Sequence, residues 1–250
     1  STHTPIFSSK KDISLWMKFI ECLVNQYSIA KIAKILKISV STAFSWHHKI
    51  LDAIRENYKC LNLHDKIECD ETFFQESFKG NHSRDGFAMP RKAHKRGGES
   101  KLRGISKEKV CVLTALDYNN DFYVAPIAMG KPSSNDLIRS VGKIINPKSI
   151  FITDSLYSYK TLYSYYKLNH IAIPKGKHSF KGFNIQRINS VHSNIKRFIS
   201  VYRGVSTKYL ANYLSLFKYI FDKVQEYPLF IRGEHPYKNT NFKGRPPIFE

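Results

Sequence analysis

The stretch IECDETFF, residues 67–74, decides the fold. Apolar and aromatic residues surround three carboxylates within a run that has the length and composition of a β-strand. Alternation along a strand places Glu68 and Asp70 on one face and Cys69 and Glu71 on the other. On that reading Glu71 faces solvent or a salt bridge, and Glu76 follows toward the end of the strand. A carboxylate inside a sheet requires a partner, and Asp70 is the first candidate.

Working outward, VCVLTALD and FYVAPIAMG flank the turn YNND and read as a hairpin of two strands. SSNDLIRSVGKII reads as a helix capped by Ser134 or Asn135. SIFITD is a short buried strand, SLYSYKTLYSYYKL a helix and HIAIP a fifth strand. Helices through IQRINSVHSNIKRFIS and GVSTKYLANYLSLFKYIFDKV follow, the last burying Tyr209, Leu210, Tyr213, Leu214, Phe217 and Ile220. Three strands in succession, then strands alternating with helices, predict an α/β fold with a mixed sheet flanked by helices. Between the first two strands, residues 76–109 form a basic insertion without apolar periodicity, read either as a DNA-contacting loop or as a disordered segment. Residues 229–250 read as an extended tail.

Before the first strand, residues 1–62 read as all helix. Ser28 caps a short helix, Lys37-Ile38-Ser39 turns the chain, and a third helix carries Val40, Phe44, His47, Leu51 and Ile54 at helical spacing. This is the helix-turn-helix pattern, in which the start of the second helix enters the major groove. Ser39, Ser41, Thr42 and Ser45 are then the exposed base-facing candidates, with His48 and Lys49 near the DNA backbone. A purely structural helical cap is the competing reading.

The chain of 250 residues carries 40 Lys and Arg against 20 Asp and Glu, a net charge of +20. Such an excess describes the partner, a polyanion, rather than the fold. With 15 Tyr and 17 Phe among the basic residues, nucleic acid ranks above a membrane surface. No apolar run reaches the roughly 18 residues a spanning helix needs, and no signal peptide opens the chain, so a cytoplasmic protein is expected. Cys22, Cys60, Cys69 and Cys111 form no CxxC pair and read as free thiols.

Asp154 ends the fourth strand, where open α/β sheets place their ligand crevice. If that strand neighbours the first, Asp70 and Asp154 face one another and repel unless a cation lies between them. Oxygen donors suit Mg²⁺ or Mn²⁺. The simpler reading of each acid alone is a turn former or helix cap.

IECDETFFQESFKGN, RGISKEKVCVLTALD, FITDS, IPKGKH and INSVHSNIKRF together resemble bacterial insertion-sequence transposases with a ribonuclease H-like catalytic core. The resemblance is to the branch with an Asp, Asp, Asn or Glu set followed by Lys, and it runs from about residue 10 to 223. It implies a DNA-binding helix-turn-helix at 1–62 and a catalytic domain at 63–228. It implies Asp70, Asp154 and Asn189 as metal ligands of a two-metal site, with Lys196 as a catalytic phosphate-holding residue. Lys79, Arg91, Lys92, Lys95, Arg96, Lys175, Lys177, His178, His192 and Arg197 would contact DNA. An amide at the third position supplies no charge, and the cysteine-rich zinc ribbon common in this branch has no counterpart here. The activity implied is metal-dependent strand cleavage followed by 3′-hydroxyl strand transfer. The partners implied are double-stranded DNA, as element ends and target, and further copies of the chain, at the nucleoid, with no small-molecule substrate. A DNA-binding regulator with an inactive core and a simple metal-dependent nuclease are the rival readings.

Overall fold

The computed structural model describes residues 9–57, 61–81, 86–91 and 104–225. Three helices open it: α1 (Ile13–Val24), α2 (Ile29–Leu36) and α3 (Val40–Asn57). Ser28 caps α2 by accepting from the Lys31 amide, and Lys37 ends it in the left-handed region with φ 52°. Ser39 then accepts from the Thr42 amide at the start of α3. The helix, turn and helix expected from the sequence are therefore present, each end held by a local polar contact.

The sheet has five strands: β1 (Lys66–Gln75), β2 (Lys109–Asp117), β3 (Phe122–Met129), β4 (Ile150–Asp154) and β5 (Asn169–Ile173), in the order β3-β2-β1-β4-β5. β1 to β3 pair antiparallel, whereas β4 and β5 run parallel to β1. This mixed sheet flanked by helices is the ribonuclease H-like arrangement, as predicted. A short β6–β7 ribbon (Ser179–Phe180 and Phe183–Asn184) precedes α6 (Gln186–Val201), and a single 3₁₀ turn leads into α7 (Leu210–Gln225).

Two helices differ in extent from expectation. α4 covers Ser134–Val141, and its cap is Ser133, in a reciprocal capping box with Asp136. That box satisfies amide donors one residue before Ser134 and two before Asn135, the two expected caps. α5 covers only Tyr159–Tyr165. The chain after β4 first makes a turn in which Asp154 Oδ1 accepts from the Leu156 amide at 2.9 Å, so the helix starts later.

Each sheet face has its own apolar core. On one, α4 and α5 bury Leu137, Val141, Tyr159 and Leu162 against Ile67, Cys69, Leu113 and Phe151. On the other, α6 and α7 pack over Val110, Val112, Leu116 and Phe122, and the N-terminal helices join the same cluster. Trp16 and Trp46 stack there with centroids 3.7 Å apart. α3 is also tied to α7 by polar contacts: Arg55 donates to Asn212 Oδ1 at 3.0 Å, and Asn212 donates to Asp52 at 2.7 Å. Among the described residues Cys22, Cys69 and Cys111 are buried free thiols, and no helix is long and apolar enough to cross a membrane. Cys60 and the tail lie outside the described residues.

Candidate metal centre

The β1–β4 register pairs Glu68 with Ile152. Continued by two residues, it sets Asp70 opposite Asp154, at the carboxyl end of β4. Carboxylate oxygens of Asp70, Glu71 and Asp154 all lie within 4.8 Å of one another. The two aspartates thus meet as the sequence suggested. Glu71 joins them, where the sequence reading sent it to solvent or a salt bridge. β4 ends at Asp154 while β1 continues to Gln75, so past that point no strand among the described residues pairs with β1 on that side. A long side chain from the opposite face can then reach around the strand edge. The Tyr159 hydroxyl, fully buried and 3.6 Å from Cys69 Sγ, lies close enough to act on the Glu71 carboxylate and favours its charged form.

The electrostatics of this cluster call for a cation. Burial, reinforced by the neighbouring Asp154, pushes the Asp70 carboxyl up to about 7, against the opposing effects of the Glu71 amide and Lys196. Burial likewise raises Glu71 to about 7, with Asp70 and Asp154 adding to the effect. Three closely held carboxylates form a hard oxygen donor set, which fits Mg²⁺ or Mn²⁺ and does not favour a soft thiophilic ion.

α6 closes the other side of Asp70. Glu68, fully buried, accepts from the Ile188 amide at 3.0 Å and so fixes the first turn of this helix. Arg187 adds a 2.7 Å hydrogen bond to Asn120 and lies over the Tyr118 ring at 4.7 Å. Asn189, His192 and Lys196 then follow at helical spacing on one face. Asn189 and Lys196 are exposed, and the Lys196 charge acts on Asp70. His192 is 7% exposed. Its Nε2 lies 2.6 Å from Thr114 Oγ1 and its Nδ1 3.9 Å from Asp70 Oδ2. Burial lowers its pKa to about 4. The expectation that His192 grips DNA is therefore corrected: a neutral imidazole closed into the core offers no surface to a phosphate. The signal was available in the sequence, since residue 192 fills the gap in the apolar series Ile188, Ile195, Ile199.

The remaining basic residues scatter around this centre. Lys175 and Lys177 are exposed and line a cleft of about 410 Å³ that Asp154 and Ser155 also line, and His178 is exposed beside them. Arg197 is exposed and bonded to Asn194 at 2.7 Å. Lys79 donates to the Arg203 and Gly204 carbonyls, and Arg91 donates to the Glu76 carbonyl. Both basic groups are thus engaged in anchoring the strand of residues that leaves β1. Lys92, Lys95 and Arg96 lie outside the described residues. On α3, Ser41 and Ser45 are exposed and Thr42 half-buried. His48 is half-buried against Phe44 and Tyr209, with centroids 4.5 and 4.0 Å away.

A second grouping, His64, Asp117 and Asp121, also brings ligand atoms within 4.8 Å. Here both oxygens of the buried Asp117 are committed, accepting from the amides of Asn119, Asp121 and His64. That pattern builds the β2–β3 hairpin.

Strand order and acid placement together define a ribonuclease H-like core with a candidate metal centre. Residues 62–222 match the ISXO2-like transposase domain, and the chain belongs to that family of insertion-sequence transposases. No curated protein matches it. Among solved structures, similarity is found to a chain of the simian T-cell lymphotropic virus intasome in complex with PP2A regulatory subunit B56 gamma. The TM-score is 0.38 at 11% identity, over 80% of this chain and 66% of that one, just under two thirds of its length. The pre-cleavage Mos1 transpososome gives a TM-score of 0.26 at 11% identity, covering 85% and 77% of the two chains. The Mos1 strand transfer complex gives 0.26 at 11% identity, covering 85% and 76%.

Proposed function

We propose that this chain is a DNA transposase that cleaves a strand at an element end and joins the freed 3′-hydroxyl to a target. The convergence of Asp70, Glu71 and Asp154 within 4.8 Å is the observation that carries this reading. Asp70 and Asp154 would hold Mg²⁺ or Mn²⁺, with Glu71 supplying the third negative charge that Asn189 cannot. When bound, such ions polarise phosphoryl oxygens and activate the attacking oxygen. The chain's own residues do the rest. Glu68 fixes the first turn of α6, the helix that carries Asn189 and Lys196; the Asn189 amide oxygen would serve as a neutral ligand, and the Lys196 ammonium as a point charge for a phosphate beside the scissile bond. Lys175, Lys177 and His178 would steer DNA along the cleft beside Asp154. No side-chain nucleophile is required.

Residues 1–62 would read DNA through the exposed start of α3, residues 63–228 would form the catalytic unit, and residues 229–250 an extended tail. Pairing two element ends implies a homo-oligomer on double-stranded DNA, acting at the bacterial nucleoid in the cytoplasm. The test incubates the protein with labelled element-end DNA, a target plasmid, and Mg²⁺, Mn²⁺ or EDTA. Metal-dependent joined product supports the proposal. Binding without cleavage would identify a DNA-binding regulator, and cleavage without joining a nuclease.

A further inference from the structure

Asp70 has two flanks. Glu71 and Asp154 occupy one, and His192 occupies the other, at 3.9 Å. The protonation of this imidazole can be worked out from its neighbour. Thr114 Oγ1 donates to the Asp70 carbonyl at 3.0 Å. A hydroxyl has one proton, and that proton is spent on a carbonyl that can only accept. The 2.6 Å contact between Thr114 Oγ1 and His192 Nε2 therefore has the ring nitrogen as donor. Nε2 therefore carries a ring proton, and in the neutral ring, the form in which an imidazole ligates a metal, Nδ1 is left with a lone pair toward Asp70 Oδ2.

At 3.9 Å the two atoms are too far apart for a hydrogen bond to join them, and a cation held between them would give both a partner. Ligand atoms bound to one ion at about 2.1 Å each can stand up to about 4.2 Å apart, and 3.9 Å falls within that span. A ligating histidine characteristically donates its other ring N–H to a fixed partner, which sets the tautomer. Thr114, fully buried on β2 beside the strand that carries Asp70, is such a partner. One turn before His192 stands Asn189, whose amide is a neutral oxygen donor.

We propose that His192 Nδ1 is a ligand of a divalent ion shared with Asp70, on the α6 side of the centre. A nitrogen donor ranks first-row transition ions above Mg²⁺, so this flank prefers Mn²⁺ or Co²⁺. The inference rests on the metal-centre reading above. It replaces a DNA contact by a coordination role, and differs from the simpler role of a buried histidine that only fastens α6 to β2.

The test uses the full chain loaded with Mn²⁺ alone and reads ¹⁴N coupling by electron spin echo modulation, together with Mn²⁺ and Mg²⁺ affinities. In the unmodified protein a directly bound imidazole nitrogen is expected, and it disappears in His192→Gln. In that variant Mn²⁺ affinity falls about tenfold or more, whereas Mg²⁺ affinity changes less than about threefold. Asp70→Asn abolishes the nitrogen signal, which places it at this centre rather than at His64. A purely fastening role predicts no nitrogen coupling in the unmodified protein and equal weakening of both ions, and either result overturns the proposal. If His192→Gln does not fold, the spectrum of the unmodified protein and of Asp70→Asn still decides. Mn²⁺ binding unchanged in both Asp70→Asn and Asp154→Asn would instead overturn the metal-centre reading itself.

Discussion

Glu68 makes the site's architecture testable without touching a proposed ligand. Its carboxylate is fully buried, and one oxygen accepts from the Ile188 amide at 3.0 Å, the third amide of α6. The other oxygen has no hydrogen-bond partner among the described residues. Burial raises its pKa, against the opposing effects of the Ile188 and Arg187 amides and the Arg187 charge. The charge itself therefore costs stability, and what Glu68 contributes is an acceptor at a helix start. Glu68→Ala leaves a buried amide unpaired, at about 1–3 kcal/mol, and opens a small cavity; relief of the buried charge offsets part of this. The net loss should be about 2 kcal/mol, or about 4–8 °C in Tm for a domain of this size. Glu68→Gln keeps an oxygen acceptor of the same reach, so its cost should stay within about 1 kcal/mol. The assay is thermal unfolding by circular dichroism, paired with Mn²⁺ titration. The turn that Glu68 fixes also carries Asn189, so Glu68→Ala should weaken Mn²⁺ binding while Glu68→Gln largely preserves it. The reasoning is refuted if Glu68→Ala matches the unmodified protein in both assays, or if Glu68→Gln is as damaging as Glu68→Ala.

Asp70→Ala and Asp154→Ala should each abolish cleavage and leave duplex binding nearly intact; a variant that cuts at the normal rate by gel assay removes that residue from the site. Mn²⁺ should raise the Tm of the unmodified protein, since an ion that binds only the folded state stabilises it, and should leave the Tm of Asp70→Asn almost unmoved, as followed by scanning fluorimetry. His47 is fully buried, and burial lowers its pKa to about 3. The unfolded chain then takes up a proton below about 6.5 that the folded chain refuses. Stability from this group is lost as pH falls, by about 2 kcal/mol at pH 5, and His47→Phe should flatten the urea midpoint between pH 7 and 5 relative to the unmodified protein. Lys37 ends α2 in the left-handed region with φ 52° and is exposed. Lys37→Gly should stabilise by about 0.5–1 kcal/mol, visible as a higher urea midpoint; a lower one would contradict the cap assignment.

The strands were legible because their apolar runs are bounded by turn residues, and the N-terminal helices because Ser28 and the 37–39 turn punctuate a period of 3.6. Asp70 and Asp154 were legible for a positional reason: Asp154 ends β4, and Asp70 stands in an apolar strand that could lie beside it. Helix ends were less so. Ser133 and Ser134 are chemically equivalent caps on paper, and only the reciprocal bond with Asp136 chooses between them. The limits of α5 depend on a turn that Asp154 itself nucleates.

Glu71 and His192 were hidden for opposite reasons. The alternation rule that sent Glu71 to solvent or a salt bridge assumes a strand with neighbours on both sides. β1 outruns β4, and at that edge face assignments no longer separate side chains. His192, by contrast, obeys its rule: it sits at an apolar position of α6, and the rule offers only a core residue. What makes it more than that is a proton count across two strands and a helix, from the Asp70 carbonyl through Thr114 to the imidazole. Those partners are 44 and 78 residues apart in sequence, so no local pattern could register them. Glu68 links both cases. By capping α6 from the strand that carries Asp70 and Glu71, it ties the acid-bearing strand to the helix bearing the neutral donors, and a shift at either should be felt at the other.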